Sequence, residues 1–249
     1  MKTNLAQLVC GLALLGAVTT VSAQSLVNLV ANGSFENGTP TFDPSTTQSR
    51  QLFAGSTDVT GWTVNQPGRQ FYWWNGSMHP PSGNYATGAA DGNLFMYFNG
   101  NATLSDVRGE ISTSVTFASA GDYTLTFDMA SEQSIYGSRQ AGFTADMAGL
   151  VSYTDLMTPV FSLDNTYPTV TAANWVQVTH DFTVTTPGTY VLSFTDASVY
   201  GDPLVSPLAG VTPSPMLDNV SITAAPEPST LALSALGGLG LLLKFRRRK

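Results

Sequence analysis

Residues Gly121 to Ala130 read GDYTLTFDMA. Tyr123, Leu125, Phe127 and Met129 alternate with Thr124, Thr126 and Asp128. Alternation of apolar and polar residues at period two marks a strand with one face buried and one exposed. The skeleton returns at Gly188 to Ala197, GTYVLSFTDA, with Tyr190, Leu192 and Phe194 in the same places. The echo also extends backwards. Ile111–Ala130 aligns without gaps on Val178–Ala197, each copy a strand, a short turn and then G-x-Y-x-L-x-F. One duplication is too little for a solenoid. Two similar hairpins, turned at Gly121 and Gly188, are the expectation, set in a two-sheet sandwich.

The rest of the chain agrees with an all-β reading. Further strands are expected at Leu29–Phe35, Gly61–Asn65, Asn93–Asn99 and Met216–Thr223. Ser131–Tyr167 reads as a long irregular insertion with a short strand near Gly149–Tyr153. Gly201–Met216 holds four prolines and reads as a loop. Helical periodicity is confined to the two ends.

Those ends differ from everything between them. Lys2 precedes an apolar run, Leu5–Val18, and VSAQ then places small or β-branched residues at Val21 and Ala23. This is the layout of a secretory signal peptide, residues 1–23, cleaved after Ala23. The chain's single cysteine, Cys10, lies inside it, so the exported part has no disulfide to staple it. At the other end, residues 226–249, PEPSTLALSALGGLGLLLKFRRRK, join a proline box to a short apolar helix and five cations. Leu231–Leu243 would reach roughly 20 Å as a helix, against about 30 Å of hydrocarbon. It suits a transient hold on the inner membrane better than a stable anchor.

Residues 24–225 are therefore expected to form one domain. They contain four arginines, no lysine and sixteen acidic residues. Nucleic acid is a poor partner for such a surface, because affinity for phosphates comes from Lys and Arg. Neutral ligands and hard cations such as Ca²⁺ suit it better.

Two resemblances add to this. Pro226-Glu227-Pro228, the apolar helix and Arg246-Arg247-Arg248 resemble a PEP-CTERM sorting signal. That resemblance implies an exported protein of a Gram-negative bacterium, an exosortase that cleaves near the box, and delivery to the cell surface or extracellular matrix. NLVANGSFENG, GWTV, DGNLFMYFNGN and LDNVSIT, in that order between Asn28 and Thr223, resemble the galactose-binding-like jelly rolls, among them carbohydrate-binding modules and choice-of-anchor proteins. This implies a jelly-roll sandwich. It also implies one structural Ca²⁺ held by Glu36 of NGSFE and Asp218 of LDNV.

The most aromatic stretch is FYWWNGSMH, Phe71–His79. Alternation puts Phe71 and Trp73 on one face and Tyr72 and Trp74 on the other. One pair belongs in the core, and the other is available to stack on sugar rings, whose C–H faces suit an aromatic plane. Trp73, Trp74, Tyr85 and Asn75 are the candidate ligand-binding residues, with Trp62 and Trp175 assigned to the core. His180, in line with Val176, Val178, Phe182 and Val184, reads as a core-facing or strand-edge histidine. There is no G-x-S-x-G context, phosphate loop or zinc spacing, and no enzyme activity is expected. The expected role is a non-catalytic surface or biofilm-matrix protein associated with exopolysaccharide or another glycan. A self-associating matrix component is the alternative, and a polysaccharide hydrolase the more distant one.

Overall fold

The alternating segments become strands whose buried positions are the apolar ones. In β6 (Gly121–Ser131) Tyr123, Leu125, Phe127 and Met129 are buried; in β10 (Gly188–Asp196) Leu192 and Phe194 are. The structure, a computed structural model, describes residues 27–39, 49–67, 70–76, 88–99, 108–131, 140–157, 175–199 and 214–225. Ala23 and the signal segment, Tyr85, Pro226, Glu227, Pro228 and Arg246–Arg248 lie outside them. The described strands all fall in the compact unit Leu26–Ala225.

The remaining strands are β1 (Ser49–Leu52), β2 (Trp62–Pro67), β3 (Gln70–Asn75), β4 (Leu94–Asn99), β5 (Gly109–Phe117), β7 (Gly142–Met147), β8 (Val151–Leu156), β9 (Val176–Val184) and β11 (Pro215–Ala224). They form two antiparallel sheets, β1-β3-β4-β11-β6-β9 and β2-β5-β10-β7-β8, in a jelly-roll sandwich. Aromatic rings tie the layers together. Phe71 and Phe98 of one sheet meet at 4.2 Å, Phe98 reaches Phe143 of the other at 4.8 Å, and Phe127 meets Phe194 across the gap at 5.1 Å. Each such ring, removed from water, contributes about 1.5–3 kcal/mol.

The repeat is real, but its two copies are not hairpins. β5 lies in the five-stranded sheet and β6 in the six-stranded one; β9 and β10 divide in the reverse order, β9 in the six-stranded sheet and β10 in the five-stranded one. Each copy is an arch that crosses the core. The arches interlock, because β5 pairs with β10 and β6 with β9. Gly121 stands opposite Val184, the last residue of β9, and Gly188 opposite Phe117, the last of β5. The tyrosine of each G-x-Y explains the crossing. Tyr123 donates its hydroxyl to the carbonyl of Ser119 and Tyr190 donates to Thr186, so each ring braces the corner just turned.

Two other expectations are corrected. Leu29–Phe35 is a turn and not a strand: Phe35 N–H donates to the Asn32 carbonyl, and both residues have positive φ, 58° and 51°. Its entry is nevertheless stitched to β11, with Leu29 N–H donating to Ile222 and the Asn28 amide bridging Val220 and Ile222. In the insertion, β8 is the short strand expected near Gly149–Tyr153, but Gly142–Met147 is not irregular: it forms β7, which pairs with β8 in a hairpin around Gly149, whose φ of +82° supplies the turn.

The outermost strands β8 and β9, one from each sheet, meet through side chains. His180 Nε2 lies 2.7 Å from Asp155 Oδ2, the Tyr153 ring stacks on the imidazole at 4.0 Å, and the Tyr153 hydroxyl donates to the Asp181 carbonyl. His180 is at once core-facing and at a strand edge, as its position among Val178, Phe182 and Val184 predicts.

Candidate functional site

Glu36 and Asp218 are far apart in sequence and grip one loop, residues 88–94. The turn at Asn32 starts this. Its side-chain amide donates to the carbonyls of Asn37 and Thr60 while its oxygen accepts from Asn37 N–H. Phe35 is thereby driven into the core against Trp62, 5.0 Å away. Gly33 in this turn lies so close to β11 that a Cβ would stand 1.9 Å from the Val220 carbonyl oxygen. Glu36 then follows with its carboxylate at the loop, where Oε1 accepts from Asn93 and Leu94 N–H, both at 2.7 Å. Gly92, at φ +70°, passes so near that a Cβ would lie 2.4 Å from the same oxygen.

Asp218 takes the other end of the loop. Its Oδ2 accepts from Ala90 and Asp91 N–H at 2.8 and 2.9 Å, and Oδ1 accepts from Asn219 N–H at 2.7 Å. A register shift between Asp218 and Ser221, with Asn219 at φ +50°, re-aims the strand here. Asp218 has no exposed surface, and burial pushes its carboxyl up to about 8 although the three amide donors pull the other way.

All the bonds described for the Asp218 carboxylate come from neutral amides, so its ionised form has no counter-charge in them. Glu36 brings a second hard oxygen donor to the same loop. Among the described residues no group of three His, Cys, Asp or Glu side chains is placed to hold a metal, and the oxygens described for Glu36 and Asp218 accept backbone amides.

The second feature lies on the face of the six-stranded sheet turned away from the core. β3 and β4 are apolar on both sides. Phe71, Trp73, Leu94, Met96 and Phe98 enter the main core, whereas Tyr72, Trp74, Phe95 and Tyr97 form a separate cluster with Met216, Ala130 and Trp175. The register fixes the layout, with Tyr72 opposite Tyr97, Trp74 opposite Phe95, and Tyr97 opposite Met216, which in turn faces Ala130. Phe95 and Tyr97 are buried, whereas Tyr72, Trp74 and Trp175 are half-buried around them. Trp175 meets Phe95 edge-on at 5.6 Å and donates its indole N–H to Gly88. The aromatic face and the carboxylate-held loop are thus contiguous.

Trp73 and Asn75 leave the candidate platform. Both are fully buried, and the Trp73 indole donates at 2.8 Å to the Phe35 carbonyl, so neither can meet a ligand. Alternation separates the two faces correctly; the inter-sheet gap takes Phe71 and Trp73 and leaves Tyr72 and Trp74 outside. Trp62 is in the core as expected, whereas Trp175 is on the outer cluster. The sequence reading does not single out Phe95 and Tyr97, the buried floor of this cluster, or place Trp175 beside them. The signal for the first two was in LFMYFN (Leu94–Asn99), a strand with no polar face.

Residues 224–249 match the PEP-CTERM protein-sorting motif. The tail therefore marks an exported protein sorted to the cell surface, and the domain before it carries a jelly-roll fold. The Stig cyclase Fisc of Fischerella sp. TAU, solved with an indole ligand, superposes with a TM-score of 0.51 at 15% identity, covering 80% of this chain and 98% of that one. A second structure of a Fischerella sp. TAU cyclase gives 0.50 at 14%, with the same coverage. The carbohydrate-binding module TmCBM61, bound to β-1,4-galactotriose, gives 0.40 at 14%, covering 80% and 99%. Likeness at such identity bears on the fold alone. Among curated proteins none matches by sequence.

Proposed function

We propose that the exported domain is a non-catalytic, glycan-associated module, displayed at the cell surface or in the extracellular matrix of a Gram-negative bacterium after exosortase processing of its tail. The observation that carries this is the half-buried trio of Tyr72, Trp74 and Trp175, set over buried Phe95 and Tyr97 on the outer face of a sheet. Apolar side chains on both faces of β3 and β4 exceed what the core requires, and half-buried indoles and phenols are the side chains that stack on pyranose rings. The sorting motif supports surface display, where such ligands are met.

A calcium ion held by Glu36 and Asp218 belongs to the same proposal. It would supply the positive charge that the buried Asp218 lacks and hold loop 88–94 against the Trp175 side of the face. What these residues do themselves is position that loop through four backbone amides.

Affinity electrophoresis of the full-length protein through gels carrying different polysaccharides tests the module. Retardation by a defined glycan, lost in Trp74→Ala with the fold intact by circular dichroism, is the expected outcome. Equal mobility in every gel would sink the reading and favour a self-associating matrix component.

A further inference from the structure

The chain enters and leaves the sandwich at one end. Leu29 N–H donates to the Ile222 carbonyl and Val220 N–H to that of Gly33, so residues 29–33 run antiparallel to β11. Val27 therefore lies beside the last residues of that strand, where Ala225 N–H is bonded to Asp122. Strands β5 and β9 end at the same level and β6 and β10 begin there, across the turns 118–120 and 185–187.

This end is almost free of charge. Ala118, Ser119 and Ala120 in one turn and Thr185, Thr186 and Pro187 in the other are exposed and neutral. Among the described residues of these turns and termini the one charged side chain is Asp122, which accepts from Thr183 Oγ1 at 2.6 Å. The stretch from residue 24 to 225 nevertheless holds sixteen acids against four arginines. On the five-stranded sheet Glu110, Asp155 and Asp196 gather at the opposite end, in the rows that cross the last two residues of β10.

The sequence limits how far this end can stand from a membrane. Five residues, 226–230, separate Ala225 from the apolar run that opens at Leu231. Fully extended, those six steps span at most about 22 Å. An anionic phospholipid surface repels carboxylates over a Debye length of about 8 Å, so acids on this end would oppose so close an approach. Neutral turns do not.

We infer that the end built from turns 118–120 and 185–187 is the surface that rests on an anionic phospholipid bilayer while the tail is attached. The inference rests on the reading of the tail as a sorting signal that holds the protein at the inner membrane. The turns supply neither a cation nor a large apolar side chain, so the tail provides the hold by keeping the end at high effective concentration beside the lipid. Display of the aromatic face follows. Met216, beside Tyr97 and Tyr72, stands eight residues up β11 from Ala224, about 27 Å at roughly 3.4 Å per residue. That face is then held clear of the headgroups before the tail is cut.

The test places single fluorescent labels on full-length protein, with Cys10→Ser so that each added cysteine is unique. Ala120→Cys and Thr185→Cys report the neutral end. Phe53→Cys reports the far one: Phe53, 65% exposed, follows Leu52, which shares a row with Phe71 and Phe98, one residue beyond the Tyr97–Met216 pair. The probe is a vesicle of phosphatidylethanolamine and phosphatidylglycerol carrying a headgroup nitroxide as quencher. We expect quenching at Ala120→Cys and Thr185→Cys to exceed that at Phe53→Cys several-fold. Thr185→Glu with Thr186→Glu, beside the Ala120→Cys label, should weaken its quenching, and added salt should restore it. Equal quenching at all three labels, or more at Phe53→Cys, overturns the inference and leaves the sorting tail standing. Quenching indifferent to the two glutamates at low salt also overturns it, since freedom from charge then has no part in the contact. Protein that does not float with the vesicles removes the membrane hold and the inference together.

Discussion

Tyr123 and Tyr190 occupy equivalent corners of the sandwich, each donating its hydroxyl to the carbonyl four residues before it, Ser119 and Thr186 respectively, at 2.8 Å. The two corners are linked through Phe117, whose ring lies 4.7 Å from Tyr123 and 5.7 Å from Tyr190. Tyr123 is buried and Tyr190 is only partly so. Removing the hydroxyl leaves a carbonyl without its partner, which costs more where water cannot replace it. Tyr123→Phe should lower stability by ~1–3 kcal/mol and Tyr190→Phe by less, read as a shift in urea midpoint at constant slope. Equal shifts would mean that burial does not set the cost.

Gly33→Ala tests the contact between the first turn and the last strand. The atom that a Cβ would meet is a backbone carbonyl, which cannot rotate aside. The variant should lose several kcal/mol, roughly 4 or more, and fail to accumulate as folded protein. Gly92→Ala meets the Glu36 side chain instead, which can move, so that variant should fold and show its effect in loop 88–94.

Trp73→Ala and Trp74→Ala are neighbours with opposite expected consequences. Trp73 is a filled core position with a satisfied indole, and its loss should cost about 3–5 kcal/mol. Trp74→Ala should spare stability by comparison and remove binding. Thermal unfolding measured beside gel retardation separates the two.

The buried carboxyl of Asp218 predicts how stability depends on pH. Its value rises from 3.8 to about 8 on folding, so the native state holds a proton that the unfolded chain releases. In metal-free protein the contribution of Asp218 to stability should be full below the ordinary aspartate range and be lost as pH rises from about 4 towards 8. Calcium needs the ionised carboxylate, so its stabilising effect should grow over the same interval. Asp218→Asn should flatten the pH slope and abolish the calcium response. A calcium-independent melting temperature in wild type at pH 8 would contradict the ion's assignment.

His180 and Asp155 close the gap between two outer strands, with side chains only 21% and 22% exposed. A double-mutant cycle with His180→Ala and Asp155→Ala should give a coupling of roughly 1 kcal/mol. A zero coupling would leave Tyr153 stacking as the whole of the contact.

Much of this architecture is legible in the sequence because its signals are local. Period-two alternation marks β6 and β10, and the G-x-Y repeat marks a duplicated unit. Which sheet each strand joins is not local. The arches look like hairpins because a corner and a hairpin both need a glycine and a short polar link; the Tyr123 and Tyr190 hydroxyls decide between them, and their acceptors appear only once the chain has turned. At the site, Glu36 and Asp218 can be singled out by motif, but the loop they share is visible only through its amides. Tyr72 and Trp74 can be separated from Phe71 and Trp73 by alternation. Which pair faces the other sheet depends on β4 and β11, whose pairing no residue of FYWW encodes.

The stitching of Asn28 and Leu29 to β11 has a mechanical consequence. Strand β11 lies inside its sheet, bonded to β6 along one side and to β4 and then Asn28 and Leu29 along the other, and Ala225 at its end is still bonded to Asp122. The sorting tail begins at the end of this strand. A pull on the chain beyond Ala225, in line with β11, would have to shear both flanks of the strand together, where an edge strand would peel away one bond at a time.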